Sequence, residues 1–350
     1  MGKEHILIIR FSAMGDVAMT VPVVYSLAKQ YPDVRITMLS KGFARPFFDE
    51  LAPNIEFVAA DLKGCHKGIK GLNRLFKELT SKDITAVADM HDVLRSKYLR
   101  ARFKLCRYKT AHIDKHRKGK RQLTAAENKR LVQQPSSFNN YAEVLDKLGY
   151  PVHTEFTSVF PSGKGDITLL PDYLQSKQPK EQWIGIAPFA AHEGKIYPTR
   201  LMERVVKLLL ERHENCRIFL FGGGASEKAV FNDWCQRYER CVSVPDSVKG
   251  MKQEMILMSH LDVMTSMDSG NMHIASLTGT PVVSIWGATH PFAGFMGWGQ
   301  SIANAVQIDL PCRPCSIYGN KPCIRKDYPC MKNIPPELIV ERIEAVLNSI

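Results

Sequence analysis

The chain has 350 residues, more than one hydrophobic core usually organises, so two domains are expected. Its 45% hydrophobic and 23% charged residues exclude a disordered or fibrous chain, and nine cysteines are too few for a stapled secreted domain. The formal charge of +12 is local: residues 95–130 hold 14 Lys or Arg against Asp114 and Glu127, which equals the whole surplus.

A basic stripe of that kind suits an anionic partner (nucleic acid, a phosphorylated substrate or an acidic membrane surface), unless it is only a solvated helix face and loop. The apolar run Ile6–Ile9 stops at Arg10 with no cleavage site after it, and no stretch approaches the ~20 apolar residues of a spanning helix. A cytoplasmic location is therefore expected.

In chain order, His5–Arg10, Arg35–Leu39, Ile55–Val58 and Ala86–Asp89 read as strands, and Val17–Gln30, Ile69–Ser81 and Val93–Lys104 as helices. The stretch from Tyr150 to Glu181 is rich in Pro and Gly and reads as the domain junction. The alternation then restarts: strand Trp183–Ala187, helix Thr199–Glu214, strand Arg217–Phe221, helix Ser226–Tyr238, strand Leu261–Ser266, helix Gly270–Thr278, strand Val282–Trp286. The spacing predicts a last amphipathic helix over Pro335–Asn348, whose apolar face is free to pack back across onto the first domain. The expectation is α/β, with two Rossmann-like, doubly wound domains facing a central cleft: 1–165, 166–334 and the terminal helix 335–350. Ligands of such sheets bind beyond the carboxyl ends of the strands, so the residues that follow strands are the ones to inspect.

After the first strand comes Ser12-Ala13-Met14-Gly15-Asp16, where small residues allow close backbone approach and Asp16 opens a helix, either as a plain cap or as a functional carboxylate. No G-x-G-x-x-G fingerprint is present. A later strand runs into Asp268-Ser269-Gly270-Asn271, with His273 one turn on; the Ser269 hydroxyl and the Gly270 and Asn271 amides suit a diphosphate, or simply cap a crossover helix. Lys195 precedes Tyr197-Pro198, where its ammonium can neutralise a departing phosphate or merely be solvated. Glu227 follows three glycines, and acidic residues so placed accept hydrogen bonds from ribose hydroxyls or start a helix. Cys312, Cys315, Cys323 and Cys330 form one C-x-x-C and a wider pair, compatible with a four-thiolate structural zinc site, a disulfide or reduced thiols.

In order, these motifs, with Asp89-Met90-His91-Asp92-Val93-Leu94-Arg95-Ser96, Lys195-Ile196-Tyr197-Pro198, the Pro281–Gly287 strand and the late cysteines, resemble the heptosyltransferase family of glycosyltransferases, family 9, over nearly the full length. The resemblance implies the GT-B fold and inverting, metal-independent transfer of heptose from ADP-heptose to the inner core of lipopolysaccharide. It implies Asp16 as general base, Lys195 on the donor phosphates, Glu227 on the adenosine ribose, and Asp268, Ser269, Gly270, Asn271 and His273 lining the donor site, with Ser12, Met14 and Gly15 at the substrate beside Asp16. No cofactor is then needed, and the partners are a nucleotide sugar, an anionic lipid-linked saccharide and, peripherally, the inner face of the cytoplasmic membrane. Ala190 and Ala191 depart from hydroxyl residues, Tyr197 from Trp and Asp92 from Gly. These departures bear on the exact sugar and acceptor, leaving another nucleotide sugar, in O-antigen or capsule assembly, as the rival reading. A nucleic-acid binder using residues 95–130 is the rival of another class, but no RNA or DNA motif accompanies the charge and no nucleic-acid partner is expected.

Overall fold

The computed structural model describes residues 4–349, which form two compact units. The first takes the chain up to Lys115 together with Pro135–Val159; the second takes His116–Gln134 and everything from Phe160 onward.

The first unit holds β1 His5–Ile9, β2 Arg35–Ser40, β3 Ile55–Ala59, β4 Ala86–Asp89 and β5 Lys109–His112 in one parallel sheet of order β3-β2-β1-β4-β5. β1 is buried along its whole length, because parallel partners flank it and helices cover both faces, which is why it reads as an unbroken apolar run. The expected helix Val17–Gln30 is two helices, Met14–Ala18 and Val21–Gln30. Pro22 lacks the N–H that would bond back to Ala18, so the first helix ends and a second begins with proline in its first turn.

The second unit holds β6 Gln182–Ala187, β7 Cys216–Leu220, β8 Cys241–Ser243, β9 Val263–Met267, β10 Val282–Ile285 and β11 Ala305–Val306, again parallel, in the order β11-β10-β9-β6-β7-β8. Both sheets reverse their winding beside their first strand, between β1 and β4 and between β6 and β9.

Two differences from the sequence-based boundaries have physical causes. Residues 116–134 count with the second unit: Lys129 Nζ donates to the carbonyls of Arg313 (2.8 Å) and Pro311 (3.2 Å), the Gln134 N–H donates to the Phe292 carbonyl (2.8 Å), and Lys120 lies 4.4 Å from the centre of the Phe295 ring. The basic stripe is therefore shared between two units. The terminal helix, Pro336–Leu347, uses its apolar face within the second unit, where Ile339, Val340 and Ile343 pack in one core with the helix Thr199–Arg212 and β9–β11. Arg212 pins it through Glu344 at 3.2 Å. Among the described residues, no helix is long and apolar enough to cross a membrane.

Candidate functional site

At the switch point of the first sheet, β1 runs out into Arg10 and Phe11, and β4 into Met90 and His91. Asp16 lies in the first turn of the helix Met14–Ala18, where its Oδ2 accepts the Ala13 N–H at 3.0 Å and pairs with Arg10 Nη2 at 2.8 Å. Arg10 is nearly buried and braced: Nη1 donates to the Met90 carbonyl (2.8 Å), and its guanidinium lies over the Tyr141 ring. The Tyr141 hydroxyl in turn donates to the Asp16 carbonyl at 3.2 Å. The Asp16 side chain keeps 31% exposure, so this carboxylate is oriented by its neighbours yet reachable.

His91 completes the corner. Its Nδ1 accepts the Phe11 N–H at 3.3 Å, which assigns the ring proton of the neutral form to Nε2. Burial, then the charge of Arg10, pushes its protonation down to about 3, so it is neutral near pH 7. Asp89 ends β4 and organises the turn: Oδ1 accepts the amides of His91 (3.0 Å) and Asp92 (2.8 Å), and Oδ2 pairs with Arg100 at 2.8 Å. Asp92 adopts φ 49°, the left-handed region where glycine is at ease and Asp tolerated, which accounts for glycine being the residue expected there. Of the other residues predicted here, Ser12 and Met14 are half-buried next to Asp16 and Gly15 is buried in the helix backbone.

The second switch point is built similarly. Lys195 ends a short turn after β6, and its Nζ donates to the Asp268 carbonyl (3.0 Å) and pairs with Asp268 Oδ2 (2.9 Å). The side chains are 15% and 4% exposed. Gly319 permits this placement: its φ is +74°, and a Cβ there would lie 2.6 Å from Lys195 Cγ. Beyond Asp268, Ser269 turns its hydroxyl to Ser266 (3.2 Å) instead of capping the helix Gly270–Leu277. The first-turn amides of that helix, including those of Gly270 and Asn271, have no intrahelical acceptor and point their partial positive charge outward. His273 lies buried in the same helix. Tyr197, where Trp was expected, is buried and donates its hydroxyl to the Ile334 carbonyl at 2.7 Å, a packing role.

Glu227 stands apart from that pair, on the turn after β7. One of its oxygens, Oε2, accepts the Gly223 (2.8 Å) and Gly224 (3.2 Å) amides and so caps the helix Ala225–Arg237. A hollow of about 530 Å³ lined by Tyr173, Glu181, Cys216, Arg217 and Arg240 opens at the other, amino ends of β6–β8. Its position is the wrong end of the sheet for a nucleotide, and Arg217 is already paired with Glu181 at 3.2 Å.

The four late cysteines are thiols, Cys330 buried and Cys312, Cys315 and Cys323 half-buried. Burial pushes Cys330 up to about 11 and raises Cys315 as well. Among the described residues, no group of three or more His, Cys, Asp or Glu is arranged to hold a metal ion. Arg313 stiffens this loop from within, donating to the carbonyls of Gly287, Ile308 and Thr289.

The fold has known counterparts. The structure of a family 9 glycosyl transferase from Veillonella parvula aligns over 100% of this chain and 99% of its own, with TM-score 0.72 and 19% identity. The E. coli heptosyltransferase WaaC with ADP aligns over 98% and 99%, with TM-score 0.67 and 17% identity. The paired parallel sheets are the GT-B architecture. In sequence, the chain is similar to lipooligosaccharide heptosyltransferase 2 of Campylobacter jejuni. It is 22% identical over 343 residues to that of serotype O:2, covering 96% of both proteins. It is 30% identical over 144 residues to that of serotype O:6, covering 39% of this chain and 43% of the relative. The model of glycosyltransferase family 9 (heptosyltransferase) matches residues 72–324, which run from the helix after β3 through the Lys195–Asp268 pair to the cysteine loop, and the chain belongs to that family.

Proposed function

We propose that the protein transfers heptose from ADP-heptose, with inversion, to the inner core of lipopolysaccharide, working in the cytoplasm at the inner face of the cytoplasmic membrane. One observation carries the reading: each sheet brings a carboxylate and a cation to its switch point, the carboxylate being the more exposed partner in one unit (Asp16 over Arg10) and the cation in the other (Lys195 over Asp268). The names of the relatives, lipooligosaccharide heptosyltransferase and lipopolysaccharide core heptosyltransferase, support the substrate class.

In this reading Asp16 takes the proton of the acceptor hydroxyl as its oxygen attacks the anomeric carbon, and the bond from that carbon to the diphosphate oxygen breaks. Arg10, Tyr141 and the Ala13 amide keep the base aimed. Lys195 and the amides opening the helix Gly270–Leu277 stabilise the charge on the departing ADP, so no metal is called for at that step. Asp268 holds Lys195 in position, and Glu227, beside its glycine loop, is assigned to the ribose. Ser12, Met14 and Gly15 shape the acceptor side of the base.

The test is thermal stabilisation by ADP-heptose compared with UDP-, GDP- and other ADP-sugars, followed by mass spectrometry of a truncated lipopolysaccharide acceptor. Stabilisation by ADP-heptose and an added heptose mass are expected. A preference for a uridine or guanosine donor would replace heptose by another sugar.

A further inference from the structure

One face of the first sheet is covered by two helices, Gly68–Thr80 and Leu94–Leu105, lying side by side. Phe76 meets Phe103 with ring centroids 4.8 Å apart, and the Tyr98 hydroxyl donates to Asn73 Oδ1 at 2.8 Å. Leu72, Leu75, Leu79, Leu99 and Phe103 face inward and are buried. The outward surface is of another kind. The two helices carry eight Lys or Arg and a single acid, Glu78, which is taken by His66 at 3.1 Å. Arg100 is tied to Asp89 and Asp92, whereas Lys70, Arg74, Lys77, Arg95 and Lys104 stand exposed.

Large apolar side chains stand within this cationic field: Ile69 is 66% exposed, Leu94 85% and Leu105 80%. Leu94, Ala101 and Leu105 recur at i, i+7 and i+11, so they form one stripe along the solvent side of their helix, flanked by Lys97 and Lys104. A lone exposed leucine is ordinary. An apolar stripe set among lysines and arginines, with the only acid occupied, is the pattern of a helix lying in a lipid headgroup region.

We infer that this two-helix layer is the surface by which the protein rests on an anionic bilayer. Leu94, Leu105 and Ile69 enter the boundary between headgroups and acyl chains, while the surrounding Lys and Arg side chains meet lipid phosphates. A nucleic-acid duplex would answer the charge but offers the leucine stripe nothing, so the bilayer is the better partner. The inference rests on the membrane placement proposed above and names the face that achieves it.

Co-sedimentation with vesicles of phosphatidylethanolamine and phosphatidylglycerol, against phosphatidylcholine alone, tests it. The full-length protein is expected to partition to the anionic vesicles in a salt-sensitive manner. Lys70→Glu with Lys77→Glu, and separately Leu94→Ser with Leu105→Ser, should each weaken partitioning by about tenfold. ADP binding measured by calorimetry should stay within about twofold of the parent, which shows that the variants are folded. Equal sedimentation of parent and variants would overturn the inference, as would no preference for anionic vesicles. Loss of duplex DNA retention by the variants with vesicle binding unchanged would give the face to nucleic acid instead. Heptose transfer to a detergent-dispersed acceptor without vesicle binding would remove this inference and leave the proposed reaction standing.

Discussion

The two switch points hold the same pair of charges in opposite settings. Asp16 is partly exposed and its partner Arg10 is buried, whereas Asp268 is buried and its partner Lys195 is the more exposed of the two. In the first, the buried cation orients a carboxylate that a substrate can reach. In the second, the buried carboxylate orients an ammonium whose side chain keeps 15% exposure. The member of each pair left toward solvent is the one to which the proposed reaction gives a chemical role, Asp16 as base and Lys195 as the cation for the leaving diphosphate.

Breaking the pairs should separate these roles. Asp16→Asn keeps the geometry and removes the base, so transfer should fall by roughly 10²–10⁴-fold while the protein stays folded. Single-turnover transfer with ADP-heptose is the measurement, and near-parental turnover would end the assignment. Lys195→Met strands the Asp268 carboxylate, so it should cost both transfer and about 2–4 kcal/mol of stability in urea unfolding, unlike Asp16→Asn. Unchanged stability would show that Asp268 has no need of its partner.

The corner at Asp16 also has its own pH signature. The folded protein protonates His91 only near pH 3, and an unfolded histidine does so near 6.5. Between those values the unfolded chain takes up the proton, so this contribution is complete above pH 6.5 and is lost as pH falls toward 3. Comparing the parent with His91→Gln across that window should reveal a difference of several kcal/mol, up to about 5, and parallel curves would contradict it. Gly319→Ala sharpens the second site most gently. A methyl group against the Lys195 stem, at a positive φ, should cost about 1–2 kcal/mol and raise the KM for donor more than it lowers kcat.

Much of this was legible in the sequence. Buried parallel strands announce themselves as apolar runs, and the residues just after β1, β6 and β9 were singled out from their place in that alternation. β5 was missed because Lys-Thr-Ala-His has exposed ends and no apolar run, as an edge strand can. β8 and β11 are three and two residues long, too short for any period to show. At the candidate site, Asp16 and Lys195 stood out by residue type and position, but Arg10 and His91 did not. Their role depends on β1 and β4 being neighbours, a pairing that spans 80 residues. A charged residue closing an otherwise apolar strand was the available signal for Arg10. The division of the basic stripe was illegible for the same reason, since only tertiary contacts of Lys120, Lys129 and Gln134 assign residues 116–134.

That excursion has a consequence for taking the molecule apart. The chain passes from one unit to the other at Lys115, at Gln134 and again at Val159. A fragment starting at residue 160 is therefore an incomplete second unit, stripped of the segment that covers Phe295 and anchors the loop around Arg313. Restoring residues 116–134 through a flexible tether should raise the melting temperature of such a fragment. The two units are not consecutive pieces of sequence, so exchange of the second unit between relatives has to move two segments together.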